Sequence, residues 1–390
     1  MTGAAPRVVV IAGEPSGEVL GARLMKALRA ATAGAVRLEG IGGEQMSAAG
    51  LQSRFPMGEL SHMGIVELLP HLPVLLRRLG ETTDWLRKAP PDLLITIDAP
   101  GFCLRLARRL AGSGIPILHY VAPTVWVWKP GRAARIAKLC DHLLALLPFE
   151  PPYFTRHGLA CSYVGHPALE TMAGTPDRAG FRRRHDIPET APLLCLLPGS
   201  RAAELRRLLP LFAVTVRDLA QRHAGLRVVL PTVAPVAAVA AAQARGLGVP
   251  TTVITDPREK RDAFAASDVA LAASGTVAVE LAVVGTPTVV AYRANPISVA
   301  IARRMIKVKY ASLVNLLLDR AATPELLQEN CRPELMTKAI DRLLSDPTAR
   351  AEQRSAYAEV LAKLAVPSAP SDQAAAVALS MIAARRPTAL

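Results

Sequence analysis

The chain has 390 residues, 51% of them apolar and 20% charged, which excludes a disordered chain and is too long for one ordinary core, so two domains are expected. A formal net charge of +14 points to a polyanionic partner: nucleic acid, anionic lipid or a phosphorylated substrate. Aromatic content of only 4% argues against stacking platforms for single strands, and five cysteines without CxxC spacing argue against disulfides and structural zinc.

Short β-branched runs alternate with amphipathic segments of helical length. Residues 8–12 read as a strand that ends in a Gly- and Glu-containing turn, not as a secretory leader. A helix over 16–30 follows, with Leu20, Leu24 and Leu28 on one face. Strands are expected at 93–97, 115–121 and 143–147, with a helix over 102–110. Continuous apolar strands between helices mean a parallel sheet covered on both faces. The pattern breaks at Thr171 to Pro192, rich in Gly, Pro and charge, and restarts with strands at 193–197 and 226–230 around a helix over 204–222. The charge-poor stretch Val269 to Tyr292 carries Glu280 and two turn signals, so it reads as strand, loop, helix and strand, not as a membrane span. From about Pro324 to Arg386 the chain reads as helical throughout. The expected organisation is therefore a first α/β domain over 1–172, a linker over 173–192, a second α/β domain over 193–346 and C-terminal helices over 347–390. Two doubly wound domains leave a cleft between them, and the loops after the strands are the ones to inspect.

Four such loops carry candidate chemistry. Gly13, Ser16 and Gly17 stand in a loop that opens a helix, where close backbone approach and free N–H groups suit an anion or hydroxyl; the alternative is a tight turn capped by Ser16. Asp98 closes a strand and is a candidate general base; the alternative is an N-cap for the helix that follows. Gly199, Ser200 and Arg201 follow the first strand of the second domain, where a guanidinium fork holds a diphosphate or stabilises it as a leaving group. Ser274, Gly275 and Thr276 enter a helix whose first turn holds Glu280, a candidate partner for ribose hydroxyls or a carboxylate placed by the helix dipole. Two phosphate-friendly loops in one domain and a carboxylate in the other are the layout of a nucleotide-sugar transferase. No Asp-x-Asp motif is present, and Asp92/Asp98 and Asp256/Asp262 are wrongly spaced for joint metal ligation, so no metal or other cofactor is expected.

The ordered series Ala12-Gly13-Glu14-x-Ser16-Gly17, Ile97-Asp98-Ala99-Pro100, His119-Tyr120-Val121-x-Pro123-x-Val125-Trp126, Leu147-Pro148-Phe149-Glu150, Val164-Gly165-His166, Leu197-Pro198-Gly199-Ser200-Arg201, Ala273-Ser274-Gly275-Thr276 and Asn315 within Val314-x2-Leu317 resembles the lipid-A-disaccharide synthase family. The resemblance runs from about Val8 to Cys331. It implies a GT-B fold and an inverting, metal-independent transferase that joins UDP-2,3-diacylglucosamine to 2,3-diacylglucosamine 1-phosphate by a β-1,6 linkage, releasing UDP. It implies a peripheral enzyme on the cytoplasmic face of the inner membrane. It makes Asp98 the candidate base, Arg201 a donor-phosphate contact, and Ser274, Thr276, Glu280 and Asn315 contacts to the UDP-sugar. Glu18, Gly101, Cys103 and Lys129 depart from the family's usual residues.

Ile65, Leu68, Leu69, Leu72, Leu75 and Leu76 fall at helical spacing in an unusually apolar run. Two readings stand: core packing, or a partly exposed patch that docks on the bilayer and admits acyl chains. Arg132, Arg135, Lys138, Arg303, Arg304, Lys307 and Lys309 are candidates for attraction to anionic lipid. His166 is open between substrate contact and loop cap, and Trp126 and Trp128 between a pocket wall and packing. The competing functions are a GT-B-type UDP-sugar epimerase and a non-catalytic lipid- or nucleotide-binding module; nucleic acid rests on net charge alone and is not expected. Whether the chain forms a homodimer stays open.

Overall fold

The computed structural model describes residues 5–60, 72–128, 131–295 and 308–385. Contacts divide the chain into two units: residues 1–167 with 366–390, and residues 168–365.

The first unit holds six parallel strands: β1 (Arg7–Ala12), β2 (Arg37–Ile41), β3 (Leu93–Ile97), β4 (Ile117–Tyr120), β5 (His142–Ala145) and β6 (Ala160–Tyr163). Their order across the sheet is β2-β1-β3-β4-β5-β6. The valines of β1 are fully buried because helices cover both faces. Val9 and Ile11 face one core with the Pro100–Arg109 helix, and Val8, Val10 and Ala12 face another with the Pro15–Ala31 helix. The second unit repeats the design with β7 (Leu193–Leu197), β8 (Arg227–Pro231), β9 (Thr251–Ile254), β10 (Val269–Ala273), β11 (Thr288–Tyr292) and β12 (Glu325–Leu327), in the order β12-β11-β10-β7-β8-β9. Leu194 and Leu196 of β7 face one core, and Leu193, Cys195 and Leu197 the other.

Strand order reverses between β1 and β3 in the first sheet, and between β7 and β10 in the second. At such a switch point the flanking helices lie on opposite faces, which leaves a crevice beyond the strand ends. The four loops singled out in the sequence are the loops after β1, β3, β7 and β10.

Three expectations about organisation differ from what is seen. Residues 173–192 are not a bare linker: the helix Arg178–Arg184, capped by Asp177 accepting from Gly180 N–H at 2.8 Å, packs into the second unit. Phe181 and Arg182 are buried there, and the Arg182 guanidinium donates to the carbonyls of Pro188, Glu189, Ala191 and Ala266 and to Asp268. The stretch after Pro324 begins as edge strand β12 before it turns helical. The final helix, Pro370–Arg385, belongs to the first unit, where Ala374, Ala375, Ala378 and Ile382 are buried beside the Pro15–Ala31 helix.

Of the apolar run, Ile65, Leu68 and Leu69 lie outside the described residues. The helix Leu72–Lys88 buries Leu75 and Leu79 in the core, so Leu75 is not part of a surface patch. Leu72 is half-buried and Leu76 is 46% exposed. Arg78 is bound to Glu59 at 2.7 Å and Glu81 at 2.8 Å and lies over the Phe55 ring. No helix among the described residues is long and apolar enough to cross a membrane.

Candidate active site

At the switch point of the first sheet, the loops after β1 and β3 touch. A Cβ on Gly13 would stand 2.6 Å from the Ala99 Cβ, and one on Gly17 would stand 3.2 Å from the Ile97 carbonyl oxygen. Glycine at both positions is what lets the loops meet. Ser16 Oγ then donates to Asp98 Oδ2 at 3.3 Å. Neither bland reading of these residues holds. The N-cap of the Pro15–Ala31 helix is Glu14, not Ser16, and that of the Pro100–Arg109 helix is Ala99, not Asp98. Asp98 and Ala99 both take left-handed backbone conformations, with φ of 52° and 43°. Two adjacent non-glycine residues in that region store strain of about 1–3 kcal/mol each, and such strain gathers at functional sites. The turn is held because Asp98 N–H donates to the Tyr120 carbonyl at 2.9 Å, one rung beyond the β3–β4 ladder. Cys103, fully buried on the adjoining helix turn, has its thiol pushed up by burial first and then by the charges of Asp98 and Glu14. It stays a neutral apolar wall.

The departures at Glu18 and Gly101 find a place in the structure. Glu18 is buried and accepts from Gln45 N–H at 2.5 Å, so it ties the first helix to the start of the Glu44–Ala48 helix. A Cβ on Gly101 would meet open space. Lys129 lies outside the described residues.

Around β4 and β5 the quoted motifs brace one another. Trp126 Nε1 donates to Glu150 Oε1 at 3.1 Å, and its ring meets Phe149 edge-on at 5.1 Å. Glu150 also accepts from Leu146 N–H and Leu147 N–H at 3.1 and 3.0 Å. Burial nevertheless pushes its carboxyl up to about 7. Trp126 is thereby a packed strut. His119 and His166 are both buried, and burial lowers each to about 4. His119 Nδ1 is bound to Thr96 Oγ1 at 2.8 Å, across the β3–β4 pair.

In the second unit Gly199 has φ of 118°, and Glu204 organises the turn around it. Glu204 accepts from Ser200 N–H and from Arg201 Nη1, both at 3.1 Å. Arg201 is the N-cap residue of the long Ala202–Arg222 helix and its side chain is 57% exposed, so the guanidinium and the helix N-terminus share one solvent-facing corner. Across the switch point, Ser274 Oγ donates to the Ala311 carbonyl at 3.2 Å, and Gly275 and Thr276 are exposed at the entrance of the Val277–Val284 helix. Glu280 accepts from Lys260 Nζ at 2.6 Å, so a ribose there would meet a carboxylate already paired with a cation.

Asn315 departs from its expected part. Its side-chain nitrogen donates to the Thr323 carbonyl and to Glu325, and its side-chain oxygen accepts from Ala322 and Thr323 N–H. A primary amide has two donors and two acceptor sites, and all four are used inside the unit. The side chain is a clamp on the turn before β12. Glu325 completes it by accepting from Ala311 and Ser312 N–H, both at 2.9 Å. Glu204, Glu325 and Lys260 were not singled out from sequence. Only Glu204 left a signal, an acid three residues into a helix as in a capping box. Among the described residues no group of three or more His, Cys, Asp or Glu is gathered as a metal site would require.

The fold of two parallel sheets is shared with solved structures of differing activity. A glycotransferase of kitacinnamycin matches with a TM-score of 0.64 at 16% identity, over 97% of this chain and 100% of its own. The UDP-GlcNAc 2-epimerase from Neisseria meningitidis, bound to UDP-GlcNAc, matches at 0.61 with 12% identity, over 97% and 100%. Likeness at that identity speaks for the fold alone. Sequence similarity decides between them. A family model described as lipid-A-disaccharide synthetase matches residues 8–379. This chain belongs to that family. The lipid-A-disaccharide synthase of Rhodospirillum centenum is 51% identical to it, over 97% of this chain and 95% of the relative. As a member of the lipid-A-disaccharide synthetase family, the chain is a hexosyltransferase of lipid A synthesis, and the epimerase alternative falls away.

Proposed function

We propose that the chain transfers the diacylglucosamine of UDP-2,3-diacylglucosamine to the 6-hydroxyl of 2,3-diacylglucosamine 1-phosphate. The observation that carries this reading is the strained Asp98–Ala99 turn bound to Ser16 at the switch point of the first sheet. Asp98 takes the proton of the acceptor hydroxyl as that oxygen attacks the anomeric carbon of the donor. Attack from the face opposite the leaving group inverts the anomeric centre. UDP departs with its diphosphate charge met by Arg201 and by the N-terminus of the Ala202–Arg222 helix. The Ser274 to Thr276 loop, which enters a second helix at the same switch point, holds the nucleotide side of the donor. Gly199 and Ser200 let the diphosphate approach the backbone. The half-buried Leu72 and exposed Leu76 support a docking surface for acyl chains or the bilayer, and so a peripheral attachment to the inner membrane.

The test is UDP release by the purified protein from UDP-2,3-diacylglucosamine in detergent, with and without the acceptor, in the presence of EDTA. Acceptor-dependent release that persists in EDTA is the expected result. No release from folded protein rejects the reading.

A further inference from the structure

The first unit carries a groove of about 250 Å3 between the helices Pro100–Arg109 and Arg132–Ile136. Arg105, Arg108, Arg132 and Arg135 line it, with Leu104 and Leu139 as apolar lining between them. The two arginines on each helix are three residues apart, the spacing that puts them on one face, so two pairs of guanidinium groups converge. Among the described residues none of these four side chains makes a hydrogen bond or an ion pair, and the lining includes no carboxylate. Several other arginines of the fold do lie on acids: Arg7 on Glu39, Arg78 on Glu59 and Glu81, and Arg320 on Glu359. Four like charges gathered without a counter-charge repel one another, so the groove is a surface built to receive an anion.

Its place narrows the choice of anion. The lining begins at Pro100 and Gly101, the residues directly after the Asp98–Ala99 turn. From Gly101 to Arg105 the helix rises about 6 Å, the scale of a single sugar ring. Guanidinium forks in pairs match the geometry and double charge of a phosphate monoester better than a single carboxylate. We propose that this groove is the subsite for the phosphate of the acceptor, placed so that a phosphorylated acyl-sugar bound there offers its far hydroxyl to Asp98. This inference rests on the acceptor reading above. It removes Arg132 and Arg135 from the group expected to meet membrane headgroups.

The experiment uses two acceptors, 2,3-diacylglucosamine 1-phosphate and the same compound without its phosphate, and a double variant, Arg105→Gln with Arg135→Gln, taking one fork from each helix. In the variant, KM for the phosphorylated acceptor rises roughly ten- to a hundredfold, as expected for lost hydrogen bonds to a charged group. The KM for the donor, the KM for the dephosphorylated acceptor and flotation on phosphatidylglycerol-containing vesicles stay as in the parent. A preference for the phosphorylated acceptor that survives the double substitution overturns the proposal. So does lost flotation with the preference intact, which would give the groove to bilayer headgroups. If the parent releases no UDP with either acceptor, the transferase reading itself fails. Equilibrium binding of the phosphorylated acceptor in detergent micelles then decides the groove: weaker binding to the variant supports it, and equal binding overturns it.

Discussion

Asp98 stands in a backbone conformation that few residues other than glycine adopt, and the next residue shares it. If that strain serves the proposed role of Asp98 as general base, substitution should show it. Asp98→Asn is expected to lower kcat by roughly a hundred- to ten-thousandfold, with the donor KM and the circular dichroism spectrum unchanged; a loss below tenfold would remove the base. Buried Glu150 predicts a distinct pH effect. Its folded carboxyl titrates near 7 instead of 4.5, so the folded state holds a proton that the unfolded state releases. Its contribution to stability is full below pH 4.5 and is lost as pH rises to about 7, by up to roughly 3 kcal/mol. Relative to the parent, Glu150→Gln should therefore gain stability steadily across that window in denaturant titrations, and a pH-independent difference would contradict it. His119 and His166 act in the opposite sense. Their folded values near 4 lie below 6.5, so their contribution is complete above 6.5 and is lost as pH falls toward 4. Sequence marked Asp98 and Arg201 as loop residues because strand ends and glycines mark loops, and both stand in the loops after β3 and β7. It misassigned Asn315, since saturation of its amide depends on Thr323 and Glu325, which only the fold brings close.

The fully buried central strands were legible as apolar runs because burial on both faces removes any need for polar alternation. Edge strands β2, β6, β9 and β12 were missed, for they are only partly buried and lack a continuous apolar run. The segment 173–192 misled for a different reason. A run of arginines among glycines and prolines reads as solvated chain, whereas Arg182 finds carbonyl partners that no local pattern reveals. The Leu72–Lys88 helix allows its two faces to be separated by substitution. Leu72→Glu with Leu76→Glu should cut flotation on liposomes and leave the unfolding transition nearly unmoved; unchanged flotation and activity would reject the docking surface. Leu75→Ala, buried one position away, should instead cost about 2–5 kcal/mol of stability and spare membrane binding.

The first unit is assembled from two distant stretches of chain, residues 1–167 and 366–390. Composition and periodicity announced helices at the end of the chain but not their destination, because an alanine-rich face such as that of Ala374, Ala375 and Ala378 suits any closely packed partner. Ala378→Asp should lower the unfolding midpoint of the first unit and leave the second unit's core protected in hydrogen exchange; equal loss of protection in both would contradict the assignment. The same arrangement has a consequence in time. On the ribosome the Pro15–Ala31 helix emerges early, yet the helix that covers its flank is made only after the whole second unit has been synthesised. At synthesis rates of about 5–20 residues per second, the intervening stretch takes roughly 10–40 s. Throughout that interval the nascent first unit leaves the flank of the Pro15–Ala31 helix that receives the final helix uncovered, a target for chaperones and for aggregation alike.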